Sequence, residues 1–242
     1  FVLITGASSG IGRALAHEYA SLGSTLYLIA RTQEPLERVT KECQMLGANA
    51  YARVADVADT TAMTGIINEI ERRVPLDLVI ANAGGGDAQP SGAPLAPFAN
   101  RIFSTNIDGT MTTIHPAIEA MRTRGQGQIV IMSSLAGYLP LKASPAYSAA
   151  KAALRTYSHA LRDYLRPDGI YVTVIAPGFV QTPATDGAPH PLPFLVSPET
   201  AARKIRIGVQ NKKRTIAFPW QLVLLTRLAQ LLPKGLVNQI AR

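Results

Sequence analysis

Tyr147 and Lys151 are four residues apart, one turn of a helix, and would stand on one face of it. A lysine ammonium held beside a phenol favours the phenolate. Moving a tyrosine from about 10 toward 7 takes ~4 kcal/mol of differential stabilisation. Such a phenol can give or take the proton of a carbonyl/alcohol pair while a hydride moves on the other side. Ser134, at the end of a predicted strand, could hydrogen-bond the same oxygen and orient it. Asn106, inside a long predicted helix, could bend that helix locally and hold a water that relays protons to Lys151. By itself a Tyr-x-x-x-Lys spacing recurs by chance on solvated helix faces, and a serine at a strand end is equally bland. The weight comes from the elements that must position these groups.

The first of those elements is the amino-terminal stretch. Phe1 to Ile4 is a continuous apolar run, as expected of a strand buried on both faces. It ends at Thr5-Gly6, and the small residues Ala7, Ser8, Ser9 and Gly10 follow. Ile11, Leu15, Tyr19 and Leu22 then recur with helical spacing, and Gly23 is placed to stop the helix. A glycine-rich strand-to-helix turn leaves N–H groups at a helix N-terminus without partners, a ready site for phosphate oxygens. Strand, turn and helix occur in the order a dinucleotide pyrophosphate site requires, which assigns Gly6, Ser8, Ser9, Gly10, Ile11 and Gly12 to it. The turn is not of the nucleoside-triphosphatase type, because Arg13 follows Gly12 where a Lys and a Ser/Thr would be needed.

The rest of the chain repeats the alternation. Strands are expected at 24–30, 50–55, 78–81, 128–133, 170–176 and 215–218. Helices are expected at about 35–46, over Met63 to Ile70, at about 97–123, at 146–165 and from Ser197-Pro198-Glu199 to about 210. Leu36, Val39 and Cys43 mark the inward face of the second helix. This βαβαβαβ order predicts an α/β protein: a single domain over 1–242 with a doubly wound parallel sheet of about seven strands and helices on both faces. In such folds the end of the second strand meets the adenosine ribose. The residues there are Ala30, Arg31 and Thr32, with no carboxylate to hold both ribose hydroxyls. The Arg31 cation favours a 2′-phosphate, so NADP(H) is expected over NAD(H). Asp56-Val57 stands at a strand carboxyl end where an adenine ring could be read.

The sequence of 242 residues suits one α/β domain or at most two small ones, and 17% charged against 47% hydrophobic residues excludes a disordered chain. A net charge of +8 permits anionic partners, of which a phosphorylated cofactor is one. The basic cluster Arg203, Lys204, Arg206, Lys212, Lys213 and Arg214 has no interleaved aromatics, which favours a solvated face over a nucleic-acid site. The one cysteine, Cys43, excludes an internal disulfide. His17, His115, His159 and His190 show no metal-ligand spacing, so no metal is expected. No signal peptide and no membrane-length apolar run is visible. The reading is cytoplasmic, with membrane association as an open option, and with a few residues expected to be missing in front of Phe1.

In their order along the chain these motifs resemble those of the short-chain dehydrogenase/reductase family. They are Thr5-Gly6-Ala7-Ser8-Ser9-Gly10-Ile11-Gly12, Asp56, Asn82-Ala83-Gly84, Asn106, Ser134, Tyr147-Ser148-Ala149-Ala150-Lys151 and Pro177-Gly178-Phe179-Val180-Gln181-Thr182. The resemblance implies a hydride-transferring oxidoreductase with Asn106, Ser134, Tyr147 and Lys151 as the catalytic four and Tyr147 as acid/base. Lys151 would also hold the nicotinamide ribose. Asn82, Ala83 and Gly84 would line the adenosine side, Asp56 and Val57 the adenine. Val180 and Thr182, after Pro177 and Gly178, would meet the carboxamide. Family spacing selects Ser134, with Ser133 as the fallback. Leu28-Ile29-Ala30-Arg31 is similar to NADPH-using members, including reductases of long-chain and sterol-like ketones. Family members pair through the helices near 97–123 and 146–165, which implies a homodimer or homotetramer. The other class of reading is a dinucleotide-binding sensor or scaffold without turnover.

On the substrate side, the loop 85–97 holds Gly85, Gly86, Pro90, Gly92, Pro94 and Pro97. The segment at about 179–198, with Pro183, Pro189, Pro191, Pro193 and Pro198, is a short candidate lid over a rather open pocket for an apolar substrate. In the carboxyl-terminal segment 219–242, a helix from Trp220 to Leu232 carries Leu224, Leu225, Leu228, Leu231 and Leu232 on one stripe. Three uses are open for it: packing on the chain's own core or a partner subunit, walling the pocket, or lying on a membrane surface, the first being favoured.

Overall fold

The computed structural model describes residues 1–86, 92–183, 185–186 and 192–231. Pro90, Pro189, His190, Pro191 and Leu232 lie outside the described residues. The elements run β1 (Val2–Thr5), α1 (Gly10–Ala20), β2 (Thr25–Ala30), α2 (Gln33–Met45), β3 (Asn49–Val54), α3 (Thr60–Arg73) and β4 (Leu78–Ala81). They continue with α4 (Leu95–Phe103), α5 (Gly109–Arg124), β5 (Gly127–Met132), α6 (Pro145–Leu165), β6 (Ile170–Pro177), α7 (Pro198–Gln210), β7 (Thr215–Phe218) and α8 (Trp220–Leu231).

All seven strands pair in parallel in one sheet of order β3-β2-β1-β4-β5-β6-β7. Parallel strands need crossovers, and the intervening helices cover both faces. One layer buries Leu15, Leu36 and Ile205 from α1, α2 and α7 against Ile4, Leu28 and Ile80. The other buries Ile67, Ile114 and Leu154 from α3, α5 and α6 against Leu3, Val79 and Ile131. The strands read as continuous apolar runs because successive side chains enter opposite layers. The order reverses at β1, whose neighbours are β2 and β4, and the crevice at such a reversal is where ligands bind in open α/β sheets.

Three expectations change in detail. The single helix expected at 97–123 is two helices, α4 and α5, joined by a π-helical turn at Ser104–Asp108 that contains Asn106. The lid is partly strapped down: Val180 bridges Val196, and the Gln181 N–H donates to the Val196 carbonyl at 2.9 Å. Among the described residues the leucine stripe of α8 is not covered by the chain's own core: Leu224, Leu225, Leu228 and Leu231 are 49%, 55%, 51% and 82% exposed. Helical spacing shows which residues share a face and says nothing of what lies beneath it. One inward contact of α8 is Leu222, whose Cδ1 would stand 2.7 Å from a Cβ placed on Gly178. In the basic cluster, Arg206 pairs with Glu18 and Arg214 with Asp163, so those two cations are engaged within the fold. Among the described residues no helix is long and apolar enough to cross a membrane.

Candidate active site

The glycine turn is built by close approach. A Cβ on Gly12 would lie 2.1 Å from the Gly6 carbonyl oxygen, so the first turn of α1 sits directly on the end of β1. Gly6 has φ +64, a backbone that L side chains avoid. Ser9 is the N-cap of α1 and its side chain makes no capping hydrogen bond. The helix N-terminus thus keeps donors for an anion. Thr182 faces the turn from the far side, its Cγ2 3.0 Å from where a Cβ on Gly10 would be. A cavity of about 610 Å3 runs from Ser8, Ser9 and Gly10 to Gln181, Thr182 and Pro183; Tyr147 and Lys151 do not line it.

Asn82 ties this turn to the end of β4. Its Nδ2 donates to the carbonyls of Thr5 at 2.9 Å and Gly6 at 3.3 Å, while the N–H groups of Asn82 and Ala83 donate to Thr5 Oγ1, both at 3.1 Å. The next residue, Gly84, reaches the groups expected to do chemistry. A Cβ there would lie 2.7 Å from Asn106 Oδ1 and 3.3 Å from Lys151 Nζ. Asn106 is fully buried. Its Nδ2 donates to the Gly85 carbonyl at 2.8 Å and to the Ile102 carbonyl at 2.9 Å, which holds the π-helical turn open toward the loop after β4. Its Oδ1 is a buried acceptor with no partner among the described residues.

Ser134 caps a short 310 turn, Leu135–Gly137, after β5. Its hydroxyl accepts from the Ala136 N–H at 3.1 Å, donates to the Pro177 carbonyl at 3.4 Å and is hydrogen-bonded to the Tyr147 phenol. Ser133 turns the other way and donates to the Lys151 carbonyl at 2.8 Å, inside the core. Lys151 Nζ donates to the Met132 carbonyl at 2.9 Å and stands 5.5 Å from the centre of the Tyr147 ring. Burial pushes the Lys151 ammonium down to about 8. Burial also raises the Tyr147 phenol, with the Ser134 hydrogen bond opposing it. The expected acidification by the neighbouring lysine is therefore not what the protein alone produces. Desolvation of the phenolate is the larger effect at Tyr147.

At the carboxyl ends of β2 and β3, Arg31 and Asp56 bring their charged groups to 3.8 Å of each other while both stay exposed. Val57 is buried against Gly109 at the start of α5. Val180 is buried on the strap, and Pro177-Gly178 stands between Ser134 and α8. The structure thus gathers Asn106, Ser134, Tyr147 and Lys151 at the carboxyl ends of β4 and β5, beside the glycine turn, with Arg31, Asp56 and Val57 at the other end of the crevice. Sequence reasoning missed the Met132 carbonyl under Lys151. It also missed Gly86, where a Cβ would come within 2.2 Å of the Tyr147 ring. The signal for the second was present, a glycine pair after a strand end. Among the described residues no three His, Cys, Asp or Glu side chains group to hold a metal.

A doubly wound sheet with a glycine turn at its reversal and a Ser–Tyr–Lys group beside it defines a nicotinamide-dinucleotide oxidoreductase. The short chain dehydrogenase family model matches residues 1–191, and the chain belongs to that family, whose members act on CH–OH groups with NAD(P). An uncharacterized oxidoreductase of Myxococcus xanthus is 36% identical over 242 residues, covering 99% of this chain and 95% of that protein. An 11-beta-hydroxysteroid dehydrogenase-like 2 of Arabidopsis thaliana is 38% identical over 191 residues, 76% of this chain and 60% of that protein. A variant of actinorhodin polyketide ketoreductase, solved with NADPH, superposes with a TM-score of 0.80 at 26% identity, covering 90% of this chain and 94% of that one.

Proposed function

We propose that the protein is an NADP(H)-dependent carbonyl reductase/alcohol dehydrogenase for an apolar ketone or secondary alcohol, with Tyr147 as its acid/base. The observation that supports this is the route from Gly6 through Asn82 and Gly84 to Asn106 Oδ1 and Lys151 Nζ, which links the glycine turn to the amine. The residues fit a dinucleotide: a cradle that any Cβ on Gly12 would fill, free donors at the start of α1, and a buried acceptor without a partner at Asn106. The bound coenzyme would supply the hydride. Gly6, Ser8, Ser9, Gly10, Ile11 and Gly12 would hold its phosphates, Arg31 a 2′-phosphate, and Asp56 and Val57 the adenine. Asn82, Ala83 and Gly84 would line the adenosine side, Lys151 would hold the nicotinamide ribose, and Pro177, Gly178, Val180 and Thr182 would face the carboxamide.

In the direction of reduction, Tyr147 gives its phenolic proton to the carbonyl oxygen while the Ser134 hydroxyl holds that oxygen in place. Lys151 would stabilise the phenolate left behind, and Asn106 Oδ1, a buried acceptor without a partner among the described residues, would accept from a water that returns the proton. The cation at Arg31, with no carboxylate on the same strand end, supports NADP(H) over NAD(H). An apolar substrate is supported by Phe179, Phe194 and Leu195, which stay partly exposed on the strap, and by the steroid named for the Arabidopsis relative.

The test is oxidation of NADPH against a panel of aliphatic, aromatic and steroidal ketones, with Tyr147→Phe as control. The variant is expected to keep NADPH binding by titration calorimetry and to lose turnover by at least about a thousandfold. Binding of NADPH with no turnover across the panel would move the reading to a dinucleotide sensor. Full turnover by Tyr147→Phe would overturn the acid/base assignment.

A further inference from the structure

We propose that Arg155 is a positioning residue for the Ser134 hydroxyl, acting through the ring of Tyr138; this rests on the reading of Ser134 and Tyr147 given above. The turn after β5 lies lengthwise along one stripe of α6, and its residues meet successive helical turns. Ser134 is hydrogen-bonded to Tyr147. Gly137 lies on Lys151, where a Cβ would come within 2.7 Å of the backbone carbonyl. Tyr138 lies under Arg155, whose guanidinium carbon is 4.2 Å from the ring centre. Tyr147, Lys151 and Arg155 are each four residues apart, so they stand above one another on a single face.

The far end of this turn is therefore held at Tyr138. From α6 the hold is the guanidinium on the ring. From α8 it is Gln230, whose Nε2 donates to the Tyr138 carbonyl at 2.9 Å. Internally the turn is stiff: Gly137 N–H donates to the Ser134 carbonyl and Tyr138 N–H to the Leu135 carbonyl, both at 3.0 Å. A displacement of Tyr138 is thus passed back over four residues to Ser134.

Arg155 differs from the other arginines that lie over tyrosines. Arg122 also donates to Asp168 at 2.8 Å, and Arg162 also donates to the Lys212 carbonyl at 2.7 Å. Arg155 Nε is buried and has no acceptor among the described residues. A buried N–H without an acceptor is unfavourable, so a hydrogen bond at Nε does not account for the placement of this guanidinium. The stack on Tyr138 does, and a flat delocalised cation is the side chain suited to it.

The test compares Arg155→Met, which keeps the length and removes the cation, with Arg155→Lys, which restores a cation. In the full chain, hydrogen exchange at the Gly137 and Tyr138 amides needs no substrate. It is expected to be about tenfold faster in Arg155→Met and near wild type in Arg155→Lys. With NADPH and 2-decanone as the probe pair, kcat is expected to fall about tenfold in Arg155→Met while KM for NADPH stays within about twofold, with Arg155→Lys recovering most of kcat. Unchanged amide exchange in Arg155→Met overturns the proposal whether or not 2-decanone is turned over. So does a kcat within about twofold of wild type, or a loss of kcat and NADPH binding together in both variants. Turnover that survives Tyr147→Phe would overturn the acid/base reading and leave the exchange result standing.

Discussion

Lys151→Met should make the protein more stable at neutral pH while removing its activity. The Lys151 ammonium is buried, and burial lowers it from 10.5 to about 8. An unfolded chain keeps that proton until about 10.4, so between the two values the unfolded state binds more protons and stability rises with pH. Below the folded value the buried charge is unfavourable by ~3 kcal/mol; at pH 9.5 about half of that remains, so this one group adds about 2 kcal/mol of stability between pH 7 and pH 9.5. Methionine removes the charge and also the 2.9 Å hydrogen bond to the Met132 carbonyl, a loss of ~1 kcal/mol. The variant is therefore expected to exceed wild type by about 2 kcal/mol at pH 7 and to match it near pH 9.5. Urea unfolding followed by far-ultraviolet circular dichroism at both pH values measures this. Cys43, raised to about 11 by burial, titrates in the same range with the opposite sign, and cancels in the difference between the two proteins. A variant less stable than wild type at pH 7, or a difference independent of pH, would refute the reasoning.

Other outcomes follow from the same contacts. Gly12→Ala puts a Cβ 2.1 Å from the Gly6 carbonyl; the turn must open, and the NADPH dissociation constant should rise at least about tenfold by calorimetry, with stability lower by ~1–3 kcal/mol in urea. Arg31→Ala should reduce the NADPH-over-NADH ratio of kcat/KM about tenfold with little change in thermal midpoint, since the side chain is exposed. Arg124→Met leaves the carboxylate of Glu71, 7% exposed, without its 2.6 Å partner, and should lower stability by ~3 kcal/mol in urea unfolding.

The parts of the site that were legible in the sequence are those fixed by local backbone. Gly6 to Gly12 must be small because the helix starts on top of the strand end, and that requirement is written in the residues themselves. Tyr147 and Lys151 share a face by spacing alone. Arg31 could be placed because a strand of continuous apolar residues ends just before it. What the sequence could not show depends on partners far along the chain. The π-helical turn at Asn106 is held by the Gly85 carbonyl, 21 residues away. The outward face of α8 follows from what does not lie beneath it. The depth of burial at Tyr147 was not legible either, because spacing reveals a neighbouring charge and conceals what surrounds it.

The burial of this pair has a mechanistic content. Burial acts on Tyr147 and Lys151 in opposite directions of pKa and toward the same end, since it disfavours the charged form of each. At neutral pH the phenol is then protonated while the amine, at about 8, still carries most of its charge, so the pair holds no standing phenolate. Within the protein, the influence that lowers the phenol is its hydrogen bond with Ser134. On the proposed reading, Ser134 would act twice, once by orienting the substrate oxygen and once by lowering the phenol that protonates it. Both effects depend on the position of one short turn, which is packed between α6 and α8 and not on a free loop. On that reading, the geometry of the turn could vary the reactivity of the site without removing any of its four proposed catalytic side chains.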